Sequence, residues 1–209
     1  MTQELGRIER PSAGPFQEKR KLLLVPCLYQ PPDNAEEGLA ILDRYWSQVR
    51  SQISSLEMKL GQILHVYHEN LLDTGNEGVE KLELLNAEGS ALVRVICSAG
   101  ANIEVIEDEE LLNESLDLQR CLMMPFMSQK VGTSLQEWFL DTLHKRYAHI
   151  SSKIDETLKE GEAGLLLISE RHQVQFASDI EVFFVAPPAL DEFHRWMENW
   201  ITQQRAAQD

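Results

Sequence analysis

The chain has 209 residues, a formal net charge of −15 and 43% apolar residues. This length can bury a core of its own, and no apolar run reaches the roughly 18 residues that a membrane-spanning helix needs. General binding to nucleic acids or anionic membranes requires clustered Lys and Arg, so the acidic balance argues against both.

Residues 1–20 are punctuated by proline and glycine and carry a small basic excess, which predicts a flexible leader. This segment lacks the apolar core of a signal peptide. The three cysteines, Cys27, Cys97 and Cys121, are too few for a disulfide framework. They favour a reducing, cytoplasmic location.

Five apolar segments are typical of β-strands, and helical periodicity fills most of the sequence between them. We predict strands at 21–28, 62–68, 101–106, 164–169 and 180–186. We predict helices at 34–60, 77–86, 90–98, 109–124, from about 133 to 161, and from 190 to about 206. Continuous apolar strands that alternate with helices indicate a three-layer α/β fold with a mainly parallel sheet and helices on both faces.

Several details of this organisation can be predicted as well. Only ten residues separate the last two strands, which suits an antiparallel hairpin or a short irregular crossover. The helix N-caps are expected at Asp33 or Asn34, at Ser90, and at Thr133 or Ser134. Residues 21–209 are expected to form one α/β domain, and a seam near 125–133 is the alternative boundary.

Three stretches carry a resemblance to known sequences. They are Tyr67-His68-Glu69-Asn70-Leu71, Glu107-Asp108-Glu109-Glu110-Leu111-Leu112, and Ser169-Glu170-Arg171-His172 with Val185-Ala186-Pro187-Pro188. Together they resemble an uncharacterised family of bacterial and archaeal hypothetical proteins, over residues 20–200. Residues 150–170 are also similar to the last domain of archaeal and eukaryotic release factors, in which a helix ending in Glu-Gly leads into an apolar strand. Neither resemblance implies an activity or a catalytic residue.

The carboxyl ends of the predicted strands are where a ligand site is expected in a parallel sheet. The polar residues at these ends are Cys27, Tyr29 and Gln30, then Tyr67, His68, Glu69 and Asn70, then Ser169, Glu170, Arg171 and His172. We predict an anion or carboxylate site of Arg171, Glu170, Tyr67 and Gln30, with Arg171 as the bidentate donor. His68, Glu69 and His172 are the candidates for acid–base catalysis.

Each candidate has a structural alternative. Arg171 could instead pair with Glu170 or Asp179 in a solvated turn, and His68 could be a hydrogen-bonded histidine at a strand end. Cys27 is expected to be a buried, small apolar residue, because a nucleophilic thiol needs a base that lowers its pKa.

Motifs of the common cofactor and metal sites are missing from the sequence. It contains no CxxC, no HExxH, no Walker loop and no dinucleotide-binding glycine fingerprint. We therefore expect neither a metal nor a cofactor. The interpretation we favour is a non-catalytic cytoplasmic binding or regulatory module that acts through strand-end loops or self-association. The alternatives are a hydrolase or transferase of acidic or phosphorylated small molecules, and a translation-associated factor.

Two surfaces are candidates for partner binding. Residues 69–117 contain 13 acidic and only two basic residues, so they could form an acidic face for a basic protein. Trp196 and Trp200 lie four residues apart on the terminal helix, where exposed indole rings would form a homodimer contact.

Overall fold

The computed structural model describes residues 18–206, so most of the predicted leader lies outside the described residues. The strands are β1 (Arg20–Pro26), β2 (Ile63–His68), β3 (Asn102–Glu104), β4 (Ala163–Ile168) and β5 (Ile180–Phe184). The helices are α1 (Glu36–Leu60), α2 (Gly75–Leu85), α3 (Ala87–Ser98), α4 (Glu109–Leu122), α5 (Gln129–Thr157) and α6 (Pro188–Ala206). None of these helices is long and apolar enough to cross a lipid bilayer.

The five strands form one sheet in the order β3-β2-β4-β1-β5, and every neighbouring pair is parallel. β4 lies at the centre and is buried along its whole length. β1 is buried from its second residue onward. Strands that are covered on both faces are continuously apolar, which explains the Leu-rich runs of β1 and β4. The predicted three-layer α/β fold is confirmed.

Alternate residues of the strands contribute to two separate cores, because neighbouring side chains on a strand point to opposite faces. Leu23 and Leu165 lie in the core that α1, α3 and α6 cover. Leu22 and Leu166 lie in the core that the second half of α5 covers.

The connection from β4 to β5 differs from one of the two predicted alternatives. The two strands do not pair with each other, because β1 lies between them and is parallel to both. The hairpin prediction is therefore wrong, and the connection is an irregular crossover. Arg20 holds the end of this crossover at Asp179. Its guanidinium group donates hydrogen bonds to both carboxylate oxygens of Asp179 at 2.7 Å and to the carboxylate of Asp155 on α5 at 2.7 Å.

The predicted N-caps of α1, α3 and α5 are also wrong, because these helices begin two to four residues away from the predicted starts. Ser128 caps α5 by accepting a hydrogen bond from the Val131 amide, so Thr133 and Ser134 lie inside the helix. Asn86 caps α3, which places Ser90 in the first turn. α1 begins after Ala35 and has no side-chain cap.

The two helices α4 and α5 form a hairpin that extends beyond the sheet. α5 has 29 residues and is therefore about 43 Å long, but its buried residues are confined to the stretch from Thr142 to Ile154. Between Leu118 and Thr142 no residue is buried. We call residues 119–141 the arm.

Candidate functional site

The carboxyl edge of the sheet gathers a group of polar side chains. Cys27 follows β1 and its amide donates to the Ile168 carbonyl at 2.9 Å, while the Glu69 amide after β2 donates to the Leu167 carbonyl at 3.0 Å. Both residues are thereby held beside the end of the central strand β4. Cys27, His68 and Glu69 are each at most 6% exposed.

Cys27 and His68 form a buried pair. The thiol sulfur lies 3.5 Å from His68 Nε2, and the Asn86 side chain donates to the same sulfur at 3.5 Å and to the Leu28 carbonyl at 2.9 Å. Burial lowers the pKa of His68 to about 4 and raises the pKa of Cys27 to about 12. At neutral pH the pair is a neutral imidazole beside a neutral thiol, and so not an activated nucleophile.

Glu69 is the second buried group at this edge. Burial raises the pKa of its carboxyl group, although a hydrogen bond from the Ser169 amide and the charge of Arg146 oppose that shift. Its Oε1 accepts a hydrogen bond from the Tyr29 hydroxyl at 3.3 Å. Tyr29 is 43% exposed, so this hydrogen bond joins the buried Glu69 to a side chain at the surface.

A buried ion pair completes the network. Arg146 donates from Nε to Glu107 Oε2 at 2.8 Å and from Nη2 to Glu107 Oε1, so the pair is bidentate. The Asn70 amide donates to Glu107 Oε1 at 2.9 Å, and the Asn70 side-chain oxygen accepts from Arg146 at 3.0 Å. The Glu107 side chain has no exposed surface. This pair links the ends of β2 and β3 to α5.

Three members of this network were not predicted: Asn86, Glu107 and Arg146. The sequence does contain a signal for Arg146, because it lies four residues from both Thr142 and Ile150, in a stripe that α5 buries. A charged residue within an apolar stripe needs a buried partner. Glu107 follows the third strand in an acidic run, and only the fold shows that it faces inward.

The predicted ligand residues are not brought together. The Tyr67 side chain points to the α5 face, where its hydroxyl bonds Thr157 at 2.9 Å. Glu170 pairs with His194 at 2.8 Å, and Asp179 pairs with Arg20 rather than Arg171.

Arg171 and Gln30 are exposed. His172 is half-buried in the crossover, where it accepts a hydrogen bond from the Val174 amide at 3.2 Å and stands next to the Phe176 ring. Burial lowers the pKa of His172. A groove of about 410 Å³ does open beside Tyr29, Gln30 and Asn86, but neither His68 nor Glu69 lines it.

The structure shows where the two predicted partner surfaces, the acidic segment 69–117 and the tryptophans of α6, lie in the fold. Residues 69–117 are divided between layers, since α2 and α3 contact the core on one face and α4 packs on α5 on the other. Trp196 is half-buried, with its ring so close to Gly38 that a Cβ there would lie 2.5 Å from it. Trp196 and Trp200 both line a groove between α1 and α6.

A further surface, which the sequence analysis missed, lies on and beside the arm. Sixteen large hydrophobic side chains are exposed within residues 18–206, and eight of them lie between residues 116 and 140. They are Leu116, Met123, Met124, Phe126, Met127, Val131, Trp138 and Leu140. Scattered single apolar residues are normal on a surface, whereas a concentration of them makes this stretch a candidate for an interaction site.

Comparisons with known proteins add no relative to this description. No family model matches the chain, and neither the curated proteins nor the solved structures contain a match.

Proposed function

We propose that this protein is a non-catalytic binding module that acts by protein–protein association, with the arm as its binding element. The observation that carries this proposal is the concentration of exposed apolar side chains between residues 116 and 140. Three of these are methionines, whose flexible thioether side chains adapt to apolar partners. Met127 at the tip is exposed over its whole side chain.

The state of the sheet edge supports binding over catalysis. His68 and Glu69 are buried and already hydrogen-bonded, while Arg171 lies exposed in the crossover. A catalyst that used these groups together would need them around an open cleft. The edge instead stiffens the junction between the sheet and α5, from which the arm extends. All three cysteines are unpaired, in keeping with a reducing, cytoplasmic location.

The proposal is tested by site-specific photo-crosslinking in living cells of the native host. A benzophenone amino acid replaces Met127 in the full chain, and a matched chain carries it at Met58 of α1, which is 82% exposed. We expect a discrete adduct from position 127 and none from position 58, followed by binding of the purified adduct partner to the wild-type chain. Equal labelling from the two positions, or none from position 127, would refute the proposal.

One observation favours a second candidate function, that of an enzyme for small acidic or phosphorylated molecules. Burial raises the pKa of the Glu69 carboxyl group, and a carboxyl group with a raised pKa is the kind of group that general acids use. Thermal shifts measured with a panel of carboxylates and phosphates test this function. It requires a ligand that stabilises the wild-type chain and loses its effect in both Glu69→Gln and Arg171→Ala.

A further inference from the structure

We infer that the arms of two copies of this chain pair in antiparallel orientation about a two-fold axis and form an intermolecular four-helix bundle. This inference rests on the proposed function, since it names the partner of the arm as a second copy. It follows from three properties of residues 108–141: the order of charges along the hairpin, the position of the apolar side chains, and the size of the surface.

The charges change sign between the tip and the base of the hairpin. Residues 118–136 contain Arg120 and Lys130 and no acidic residue. Residues 108–117 contain five carboxylates and no Lys or Arg. At 1.5 Å per helical residue, Arg120 lies about 11 Å along α4 from the centre of residues 108–117. One surface therefore carries both members of a complementary pair, separated along its length.

Antiparallel pairing is the arrangement that this charge order favours. It places the cationic tip of each copy against the acidic base of the other, whereas parallel pairing would oppose like charges at both ends. It also leaves the two sheets at opposite ends of the bundle. Arg120 bonds Asp117 within the chain at 2.8 Å, but both side chains are more than 70% exposed. An exposed pair of this kind is weak and readily exchanges its partner.

The apolar side chains follow the same order. Met123, Met124 and Met127 lie at the tip, while Trp138 and Leu140 lie nearer the base and are about half exposed. In the antiparallel arrangement the methionines of one copy reach the aromatic and aliphatic side chains of the other. A two-fold contact uses one patch twice, so a patch that is complementary to itself is what such a dimer needs.

The size of the surface is sufficient. A standard interface involves roughly 20–30 residues on each partner. The arm has 23 residues, none of them buried within the chain, and the acidic base of α4 adds to them. One face of the arm, extended by the adjoining base of α4, would therefore supply a contact near the lower end of this range.

The test is the mass of the full chain in solution, measured by sedimentation equilibrium from 0.1 to 100 μM. We expect twice the chain mass of 23.9 kDa for the wild type. Met123→Glu with Met127→Glu should give a monomer over the whole range, while Met58→Glu, at an equally exposed position on α1, should leave the dimer intact. The variants are first shown by circular dichroism to be folded.

Charge reversal tests the antiparallel arrangement directly. Arg120→Glu with Lys130→Glu, and separately Glu109→Lys with Glu110→Lys, should each raise the dissociation constant at least tenfold. Combining all four changes in one chain restores opposite charges across the interface and should recover most of the affinity. If the combined chain is no tighter than either double variant, the antiparallel arrangement is refuted.

The remaining outcomes also decide the question. A wild-type chain that stays monomeric at 100 μM overturns the inference, as does a dimer that Trp200→Glu disrupts and the arm variants leave intact. If the photo-crosslinker at position 127 labels a different protein, the proposed function survives and the inference fails. If it labels residues 1–17 of its own chain, both fail, because the arm is then covered from within.

Discussion

The ion pair between Arg146 and Glu107 gives the sharpest stability prediction. Replacing Arg146 with Met removes two hydrogen bonds from a carboxylate whose side chain has no exposed surface. Removing one member of a buried pair leaves an uncompensated charge, which typically costs about 3–5 kcal/mol. The Asn70 amide remains as a donor to Glu107, so we expect the lower part of that range, about 3 kcal/mol.

Urea unfolding followed by circular dichroism measures this loss, and two variants make the result specific. Lys145→Ala, on the neighbouring residue of α5, removes only a surface pair with Asp141 and should leave the free energy of unfolding unchanged. Arg146→Met with Glu107→Leu removes both charges and should recover most of the loss, because a buried pair is often replaceable by apolar residues. A loss below 1 kcal/mol in the single variant, with an unchanged m-value, would refute the reasoning.

Three further predictions concern the same edge and its surroundings. Burial lowers the pKa of His68 in the folded chain to about 4, so as the pH falls the unfolded chain binds this proton before the folded chain does. The stability that neutral His68 contributes to the folded chain is therefore full above about pH 6.5 and is lost as the pH falls towards 4. Between pH 7.5 and 5.5 this loss is about 1.4 kcal/mol, so urea unfolding of His68→Gln should show a smaller decrease than the wild type by that amount; parallel pH dependences would contradict it. Since burial raises the pKa of Cys27 to about 12, iodoacetamide at pH 8 should modify the two other cysteines first, as read by peptide mass spectrometry, and early labelling of Cys27 would show that the edge opens. Gly164→Ala would put a Cβ 2.8 Å from the Tyr67 ring and should lower the free energy of unfolding by about 1–3 kcal/mol through overpacking. Gly132→Ala, next to the exposed Phe126 ring of the arm, should instead stabilise α5 by up to about 1 kcal/mol. Equal shifts of the two melting temperatures would refute this contrast.

Much of the fold can be predicted from the sequence because the central strands are covered on both sides. The unbroken Leu runs of β1 and β4 are expected only in a buried parallel sheet, and the strand ends agree with the prediction within two or three residues. The helix starts are harder to predict, because several Ser, Thr and Asn residues near each start are chemically equivalent caps. Ser128 and Ser134 differ as caps only through where the α4–α5 turn ends, which tertiary packing decides.

Only part of the polar network at the carboxyl edge can be predicted, because some of its contacts join residues that are far apart in the sequence. Cys27, His68 and Glu69 could be placed at the carboxyl edge, because strand ends converge there whatever the strand order. Glu107 and Arg146 are 39 residues apart, and their contact depends on how α5 crosses the sheet. Tyr67 lies on the α5 face while His68 lies on the other, because neighbouring side chains at a strand end point to opposite faces.

The negative charge of the chain is unevenly distributed over the fold. The acidic segment 69–117 supplies two buried acidic side chains: Glu107, which is paired with Arg146, and Glu69, which accepts a hydrogen bond from Tyr29. Five more of its carboxylates lie at the base of the hairpin, next to a tip that has only positive charge. An acidic chain would repel its own copies if its charge were evenly spread. In the proposed dimer, the arms bring opposite charges of the two copies together, so the charges that oppose other contacts between copies would favour the antiparallel orientation.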